Sequence, residues 1–368
     1  MLLSIVFSFC IAVLAVQLIY LLIFTIAFAK EKRTSTTNIT TGVSVIVCAH
    51  DEEENLRILV PILLSQNHPN YEVIIVDDRS NDGTYDFLLK TTSENPKLRM
   101  VTVRDLPKHT TGKKFALTMG IKAAKHDWVL LTDADCRPGP NWIYGMSQQF
   151  VNDANIVLGF SAYEKHPGLL NSFIRFETFL TAIQYVGFAL LGRPYMGVGR
   201  NLAYRRKLFL DSKGFNDHLD ILGGDDDLFV NQNAKGSTTG LALGKDVATH
   251  SIPKKTWIEY YHQKVRHLSV GRRYKIGDRL LLGMFMITWV LWPFTIISLP
   301  FLTMNAAVVG GMILLRWVCI LVLFGMGSRS FGVPFEGWKV PFLDFIYAFY
   351  YLVAGPIALV TKRVRWKI

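Results

Sequence analysis

Residues 1–29 contain no charged side chain and are apolar almost throughout, which restricts the chain more than any other feature. A helix needs about 20 such residues to cross a hydrocarbon layer, and this stretch reads as a transmembrane helix. A cleaved leader would instead show a basic start, an apolar core of roughly 7 to 15 residues and a small-residue cleavage site. The run here is longer and begins without a basic residue. Three further apolar stretches follow at the other end, Leu280 to Leu302, Ala306 to Met326 and Phe342 to Val360, and Arg316 is the only basic residue inside them. Half of the 368 residues are hydrophobic, too many for an ordinary soluble enzyme.

The formal charge of +11 is distributed to match. Lys30, Lys32 and Arg33 follow the first apolar run; Lys254, Lys255, Lys264, Arg266, Arg272, Arg273 and Lys275 precede the second; Lys362, Arg363, Arg365 and Lys367 end the chain. Such clusters fit anionic lipid and phosphate, and the positive-inside rule places the region after the first helix in the cytoplasm. Neither an arginine-rich arm nor zinc-finger spacing is present, so no nucleic-acid partner is expected. The four cysteines, Cys10, Cys48, Cys136 and Cys319, form no CxxC pair or disulfide framework. The expected organisation is a transmembrane helix over 1–29, a cytoplasmic domain over 42–272, a C-terminal membrane region over 280–361 with two to three apolar segments, and a basic tail over 362–368. This describes an integral protein of the cell's inner membrane. Four full crossings from an outside N-terminus would leave the basic tail outside, against the positive-inside rule. One C-terminal segment is therefore expected to be re-entrant or interfacial, and the last is favoured, because Gly355 and Pro356 interrupt it and Asp344 lies near its start.

Between the apolar ends, short β-branched runs alternate with helical stretches. "VSVIVCAHDEEENL" and "YEVIIVDDRSNDGT" each read as a fully apolar strand that breaks into an acidic turn, and "LRMVTVRD" and "DWVLLTDAD" supply two more. Strands apolar on both faces and separated by helices form a parallel sheet covered on both sides. Ligands of open α/β sheets bind beyond the carboxyl ends of the strands, which singles out His50, Asp51, Glu52, Asp77, Asp78, Asp133 and Asp135. Asn171 to Leu191 is aromatic and apolar, and reads as a helix that packs on the domain or rests on the membrane surface.

Asp133 and Asp135 can hold Mg²⁺ or Mn²⁺ through hard oxygen ligands, although a solvated turn explains most such pairs. Asp225, Asp226 and Asp227 stand in succession before an apolar run; helix capping accounts for one or two of them. Three adjacent carboxylates raise at least one pKa, which suits a base for a hydroxyl proton. Gln263, Lys264, Arg266 and His267 follow, where a guanidinium can clamp phosphate oxygens. Lys113 and Lys114 begin a helix after a glycine, as phosphate or base contacts or as exposed first-turn residues.

In order and spacing these segments resemble membrane-bound members of glycosyltransferase family 2, over residues 43 to 267. "VIIVDDRSNDGT" is similar to the family's nucleotide-binding Asp-Asp-x-Ser-x-Asp-Gly, "GKKFALTMGI" to its Gly-Lys-x-x-Ala-Leu-Asn, "TDAD" to its metal-binding Asp-x-Asp, "GGDDDL" to its acidic base motif and "QKVRH" to its Gln-x-x-Arg-Trp. The resemblance implies a GT-A fold, an α/β architecture with a mainly parallel central sheet, and inverting transfer from a nucleotide-diphosphate sugar. It implies donor contacts at Ala49, Asp51, Glu52, Asp78, Lys113, Asp133, Gln263 and Arg266, metal binding by Asp135 with Asp133, and a base at Asp226 or Asp225. Aligning Glu-Asp favours Asp226, which is the expectation adopted, and aligning Asp-Leu favours Asp225. "GRPYMGVGRNLAYRR" is similar to the acceptor-side segment, which implies that Gly197, Gly199 and Asn201 face the acceptor. His267 replaces the motif's Trp, a departure from the processive synthases. A lipid or lipid-linked acceptor is therefore expected, against two rivals: a processive polysaccharide synthase and a non-catalytic, membrane-anchored sugar-nucleotide binder.

Overall fold

The computed structural model describes residues 2–31, 40–151, 153–219, 221–302 and 306–360. Lys32, Arg33 and the basic tail 362–368 lie outside the described residues. Helix α1 (Leu2–Ala29) precedes β1 (Val43–Ala49), α2 (Glu53–Leu64), β2 (Tyr71–Asp78), α3 (Thr84–Glu94), β3 (Leu98–Val103), α4 (Gly112–Ala123) and β4 (Trp128–Asp133). Then come β5 (Cys136–Pro138), α5 (Trp142–Ser147), β6 (Ile156–Leu158), β7 (Ser161–Tyr163), α6 (Leu169–Leu190), β8 (Leu202–Arg205), α7 (Arg206–Asp211), α8 (Asp227–Asn233), β9 (Thr239–Leu241) and β10 (Thr249–Ser251). Four longer helices end the order: α9 (Trp257–Val270), α10 (Ile276–Leu302), α11 (Ala306–Phe331) and α12 (Val340–Val360).

Among the described residues the main sheet has the strand order β3-β2-β1-β4-β8-β6-β9, with β8 alone antiparallel to its neighbours. Nearly every residue of β1 and β2 is buried, which explains their unbroken apolar runs. Alternate side chains of β1 serve two cores: Val45 and Val47 pack with α2 and α5, whereas Ile46 packs with α4. The second core continues through α6 into the apolar helices. Register does the rest of the positioning. Ala49 stands opposite Asp77, and Cys48 opposite Asp133, so the strands' carboxyl ends finish along one line.

Helix α6 takes the packed alternative of its sequence expectation. Phe173, Phe176, Phe179 and Ile183 are buried, and Phe176 and Phe179 stack on Phe324 of α11 at 5.3 and 5.1 Å. It therefore forms a layer between the sheet and the apolar helices.

Four helices among the described residues are long and apolar enough to cross a membrane: Ser4–Ala29, Ile276–Leu299, Ala307–Phe331 and Gly337–Ile357. This is a membrane-associated protein. The expectation of a broken last segment needs correcting, because α12 is one continuous helix with Pro356 inside it. Asp344 is no sign of an interfacial position either. It is fully buried against Arg316 of α11, which reaches it with both terminal nitrogens, at 2.5 and 3.2 Å. Trp292 Nε1 of α10 donates to the same carboxylate at 3.1 Å, and Arg316 Nε donates to Gln17 Oε1 of α1 at 2.5 Å. Indole rings cover the guanidinium, Trp292 at 3.9 Å and Trp289 at 5.0 Å. One polar knot thus joins all four helices. Further along α12, Tyr350 and Tyr351 turn instead toward α6 and α9.

Candidate active site

The turns after β1 and β2 hold each other. Asp51 adopts a left-handed φ of 54°; its N–H donates to Ser80 Oγ at 3.1 Å, and its Oδ1 accepts from the Asn81 N–H at 2.6 Å. The Glu52 N–H donates to Thr84 Oγ1 at 3.1 Å. Asp78, buried at the end of β2, accepts from Arg79 Nε at 2.8 Å. The first turn of α4 presses on it so closely that a Cβ at Gly112 would stand 2.5 Å from Asp78 Oδ2.

Lys113, on that first turn of α4, joins distant parts of the chain. Its Nζ lies 3.1 Å from Asp133 Oδ1 and 3.2 Å from Asp225 Oδ2. Burial alone would lower the lysine's pKa, but Asp133, Asp225 and Asp226 outweigh it and hold the ammonium well above its ordinary value. Burial likewise pushes Asp225 up, and Lys113 more than reverses this, leaving that carboxyl below its usual range. Lys113 reaches Asp133 and Asp225 directly. Lys114 is buried and donates to the carbonyls of His218 and Ile221, tying α4 to the loop that carries the three aspartates.

The three aspartates separate into different roles. Asp225 lines a small cleft with Lys113, Asp133 and Thr132. Asp226 is the N-cap of α8. Its Oδ2 accepts from the Gly199 N–H at 2.7 Å and its Oδ1 from the Asp227 N–H at 2.8 Å, while burial and Asp225 raise its pKa. Asp227 accepts from Tyr274 Oη at 2.8 Å and from the Leu228 N–H at 2.7 Å. Burial, then Asp226, push its pKa up to about 8. The expectation that Asp226 rather than Asp225 faces the substrate meets this obstacle: both Asp226 oxygens serve the backbone.

The acceptor-side expectation is corrected for the Asn201 side chain. A Cβ at Gly197 would meet Leu158, Leu202 and Val230 at 3.0 to 3.2 Å, and one at Gly199 would meet the Asp226 side chain at 3.4 Å. Packing is tight at Gly197, whereas the contact at Gly199 is an ordinary van der Waals distance. Asn201 is fully buried; it accepts from Trp142 Nε1 at 2.9 Å and donates to the carbonyls of Phe160 and Val247 at 2.7 and 2.9 Å. Its side chain is an internal strut.

Asp135 accepts from Ser251 Oγ of β10 at 3.1 Å. Burial and the neighbouring Asp133 raise its pKa, and burial followed by Asp135 and Asp133 raises that of Glu52, against the Asn55 hydrogen bond that lowers it. Carboxylates that repel one another across a cleft suit a hard divalent cation. Among the described residues no group of three or more His, Cys, Asp or Glu side chains closes around a metal-sized point, so such an ion would take further ligands from substrate or water.

Helix α9 borders the same cleft. It begins with a complete capping box, Thr256 with Glu259. Gln263 Nε2 donates to Tyr163 Oη of β7 at 3.3 Å. His267 is exposed, yet desolvation and then Lys264, Arg266, Arg200 and Lys113 lower its pKa, which brings α9 within electrostatic reach of Lys113 and Arg200. The helix is anchored behind by Glu177 of α6. That buried carboxylate takes Lys264 Nζ at 2.5 Å, Tyr260 Oη at 3.2 Å and, from α12, Tyr351 Oη at 2.9 Å.

Comparison with known proteins agrees with this geometry. A model described as Glycosyl transferase family 2 matches residues 44–211, and one described as Glycosyl transferase family group 2 matches residues 128–330, more than half of the chain. The chain belongs to glycosyl transferase family group 2. A probable glycosyltransferase, YdaM of Bacillus subtilis (strain 168), is 26% identical to it over 240 residues, 61% of this chain and 54% of that protein. A poly-beta-1,6-N-acetyl-D-glucosamine synthase of Staphylococcus aureus (strain COL) is 27% identical over 150 residues, 41% of this chain and 33% of that one. The family 2 chain thus spans about half the length of the first of these relatives and a third of the second. In structure it is similar to the mannosyltransferase PcManGT from Pyrobaculum calidifontis in complex with GDP-Man and Mn²⁺, with a TM-score of 0.60 at 18% identity over 95% of this chain and 98% of that one. The fold is GT-A.

Sequence reasoning passed over three residues of this family 2 site. Ser251 and Tyr163 sit on short strands without motif character. Arg200 carried a signal, since a charged residue between Gly199 and Asn201 interrupts an otherwise small and polar turn.

Proposed function

We propose that this family 2 member transfers a sugar from a nucleotide-diphosphate sugar to a lipid or lipid-linked acceptor, with inversion, at the cytoplasmic face of the cell's inner membrane. One observation carries the reading: Asp133 and Asp225, from separate segments of the sequence, share the Lys113 ammonium at the sheet's carboxyl edge. Asp225, in place of the expected Asp226, takes the acceptor's hydroxyl proton as the acceptor oxygen bonds to the anomeric carbon and the diphosphate leaves with the electron pair. A donor phosphate that draws Lys113 toward itself leaves Asp225 more basic, so the base sharpens when the donor arrives. Asp226 holds the base's turn against Gly199. Asp78 lies at the nucleotide base, with Ala49, Asp51 and Glu52 along the same edge, while Gln263 and Arg266 close on the diphosphate from α9. Asp135 with Asp133 would hold Mg²⁺ or Mn²⁺, which supplies charge neutralisation for the leaving diphosphate. The domain over 42–272 does this chemistry beside the membrane helices. Support for donor and metal comes from PcManGT, which binds GDP-Man and Mn²⁺.

A second reading, polymer synthesis, draws on the similarity to the poly-beta-1,6-N-acetyl-D-glucosamine synthase. Product length after lipid extraction separates the two. For either, the full-length protein in detergent is incubated with a panel of labelled sugar nucleotides and Mn²⁺ or Mg²⁺. Donor cleavage with at least one, lost on chelation with EDTA and in Asp225→Asn, is the expected result; cleavage of none ends the proposal.

A further inference from the structure

The guanidinium of Arg200 lies over the Tyr163 ring at 4.3 Å. Its main-chain carbonyl is pinned by Thr132 Oγ1 at 3.1 Å and Thr249 Oγ1 at 3.3 Å, which fixes the root of the side chain between β4 and β10. Yet none of its side-chain N–H groups has an acceptor among the described residues, and Nη1 is buried from solvent without a partner. A permanently charged group in this state is costly. Carboxylates are near enough to be felt: Asp135 and Asp133 add to the cation's stabilisation, after the opposing effect of burial and the favourable one of Tyr163 and Cys136. None of them comes within ion-pair distance. Other cations described above have found their oxygens: Lys113 two carboxylates, Lys114 two carbonyls, Arg316 a carboxylate and an amide. Arg200 is held in place with its acceptor missing.

We propose that Arg200 binds a phosphate oxyanion of a substrate in this site. A planar fork of donors, preset by stacking on Tyr163, suits two phosphate oxygens. Two substrates can bring that group: the diphosphate of the donor, or the phosphate head of a lipid acceptor. Tyr163 also lies near Phe160, Phe179 and Phe335, where β7 meets α6 and the end of α11. The inference rests on the glycosyl-transfer reading for its choice of ligands, and binding rather than turnover tests it.

The full-length protein in nanodiscs with Mn²⁺ is titrated with UDP, GDP, farnesyl phosphate and farnesol, as wild type, Arg200→Gln and Arg200→Lys. In Arg200→Gln, affinity for at least one phosphate-bearing probe falls roughly 10- to 100-fold, the range of a charge-assisted hydrogen bond, while farnesol binding stays within about twofold. Arg200→Lys keeps the charge without the fork and recovers part of the loss, and it carries the test alone if the glutamine variant does not fold. Loss confined to UDP or GDP assigns the oxyanion to the donor; loss confined to farnesyl phosphate assigns it to the acceptor. Unchanged affinity for all phosphate probes in both variants, or an equal loss for farnesol, overturns the proposal. Turnover of the wild type with the sugar-nucleotide panel is read separately. Phosphate binding that depends on Arg200 without turnover sinks the glycosyl-transfer reading alone.

Discussion

The cluster of Asp with Arg in the apolar helices and the cluster of Asp with Lys and Arg at the sheet edge differ in how far their polar atoms are satisfied. Around Arg316 and Asp344 each charge finds its opposite, and an indole and an amide take the remaining bonds. At the sheet edge Lys113 serves two carboxylates, Asp135 and Glu52 are pushed up by burial and by their neighbours, and Arg200 lacks an acceptor. Closure marks a group that holds helices together; surplus charge marks a place built for something that arrives. A buried ion pair by itself discriminates poorly between the two, because desolvation cancels much of its attraction.

The contrast can be broken by substitution. The largest effect is expected at the sheet edge, where Asp225→Asn lowers donor turnover by about 10² to 10⁴, the usual contribution of a general base. Asp226→Asn, which disturbs only a turn, lowers it less; the reverse ranking returns the base to Asp226. In the bundle, Asp344→Ala strands a buried guanidinium and costs about 3 to 5 kcal/mol of stability, read as a fall in the melting midpoint in detergent before any change in donor affinity. Replacing both partners, Arg316→Met with Asp344→Leu, removes that stranded charge and costs only about 1 kcal/mol, mostly from the bonds lost to Trp292 and Gln17. A double variant as unstable as Asp344→Ala would show that the pair does more than satisfy itself.

The smallest effect concerns Asp227. Its folded pKa of about 8 stands well above the unfolded value of about 3.9. Between those values the folded chain keeps a proton that the unfolded chain has lost, so stability falls as pH rises through that window. Asp227→Asn removes the slope: its midpoint exceeds the wild type's by a few degrees near pH 8, and the difference closes toward pH 4. Equal midpoints at both pH values refute the raised pKa.

Much of this was legible from local pattern. Unbroken β-branched runs ending in acids placed β1, β2 and β4 with their carboxyl edges, and the charge-free stretch set α1, because each depends on neighbours in sequence. Facing directions were another matter. Three consecutive aspartates look alike until α8 takes Asp226 as its cap and leaves Asp225, the one before it, in the cleft. Gly197, Gly199 and Asn201 carry the residue types of a sugar-binding turn, and only tertiary packing shows the Asn201 side chain used from within. Asp344 looked like a flaw in a hydrophobic helix, because its partner lies on another helix.

Glu177 fixes one last property. Because Lys264 and Tyr260 of α9 and Tyr351 of α12 bond to the same carboxylate, the arm bearing Gln263 and Arg266 cannot swing without dragging the lipid-facing part of the molecule. On the proposed function, the reaction centre would ride at a set height above the bilayer, and the chain would act as a ruler for an acceptor whose foot stays in the lipid.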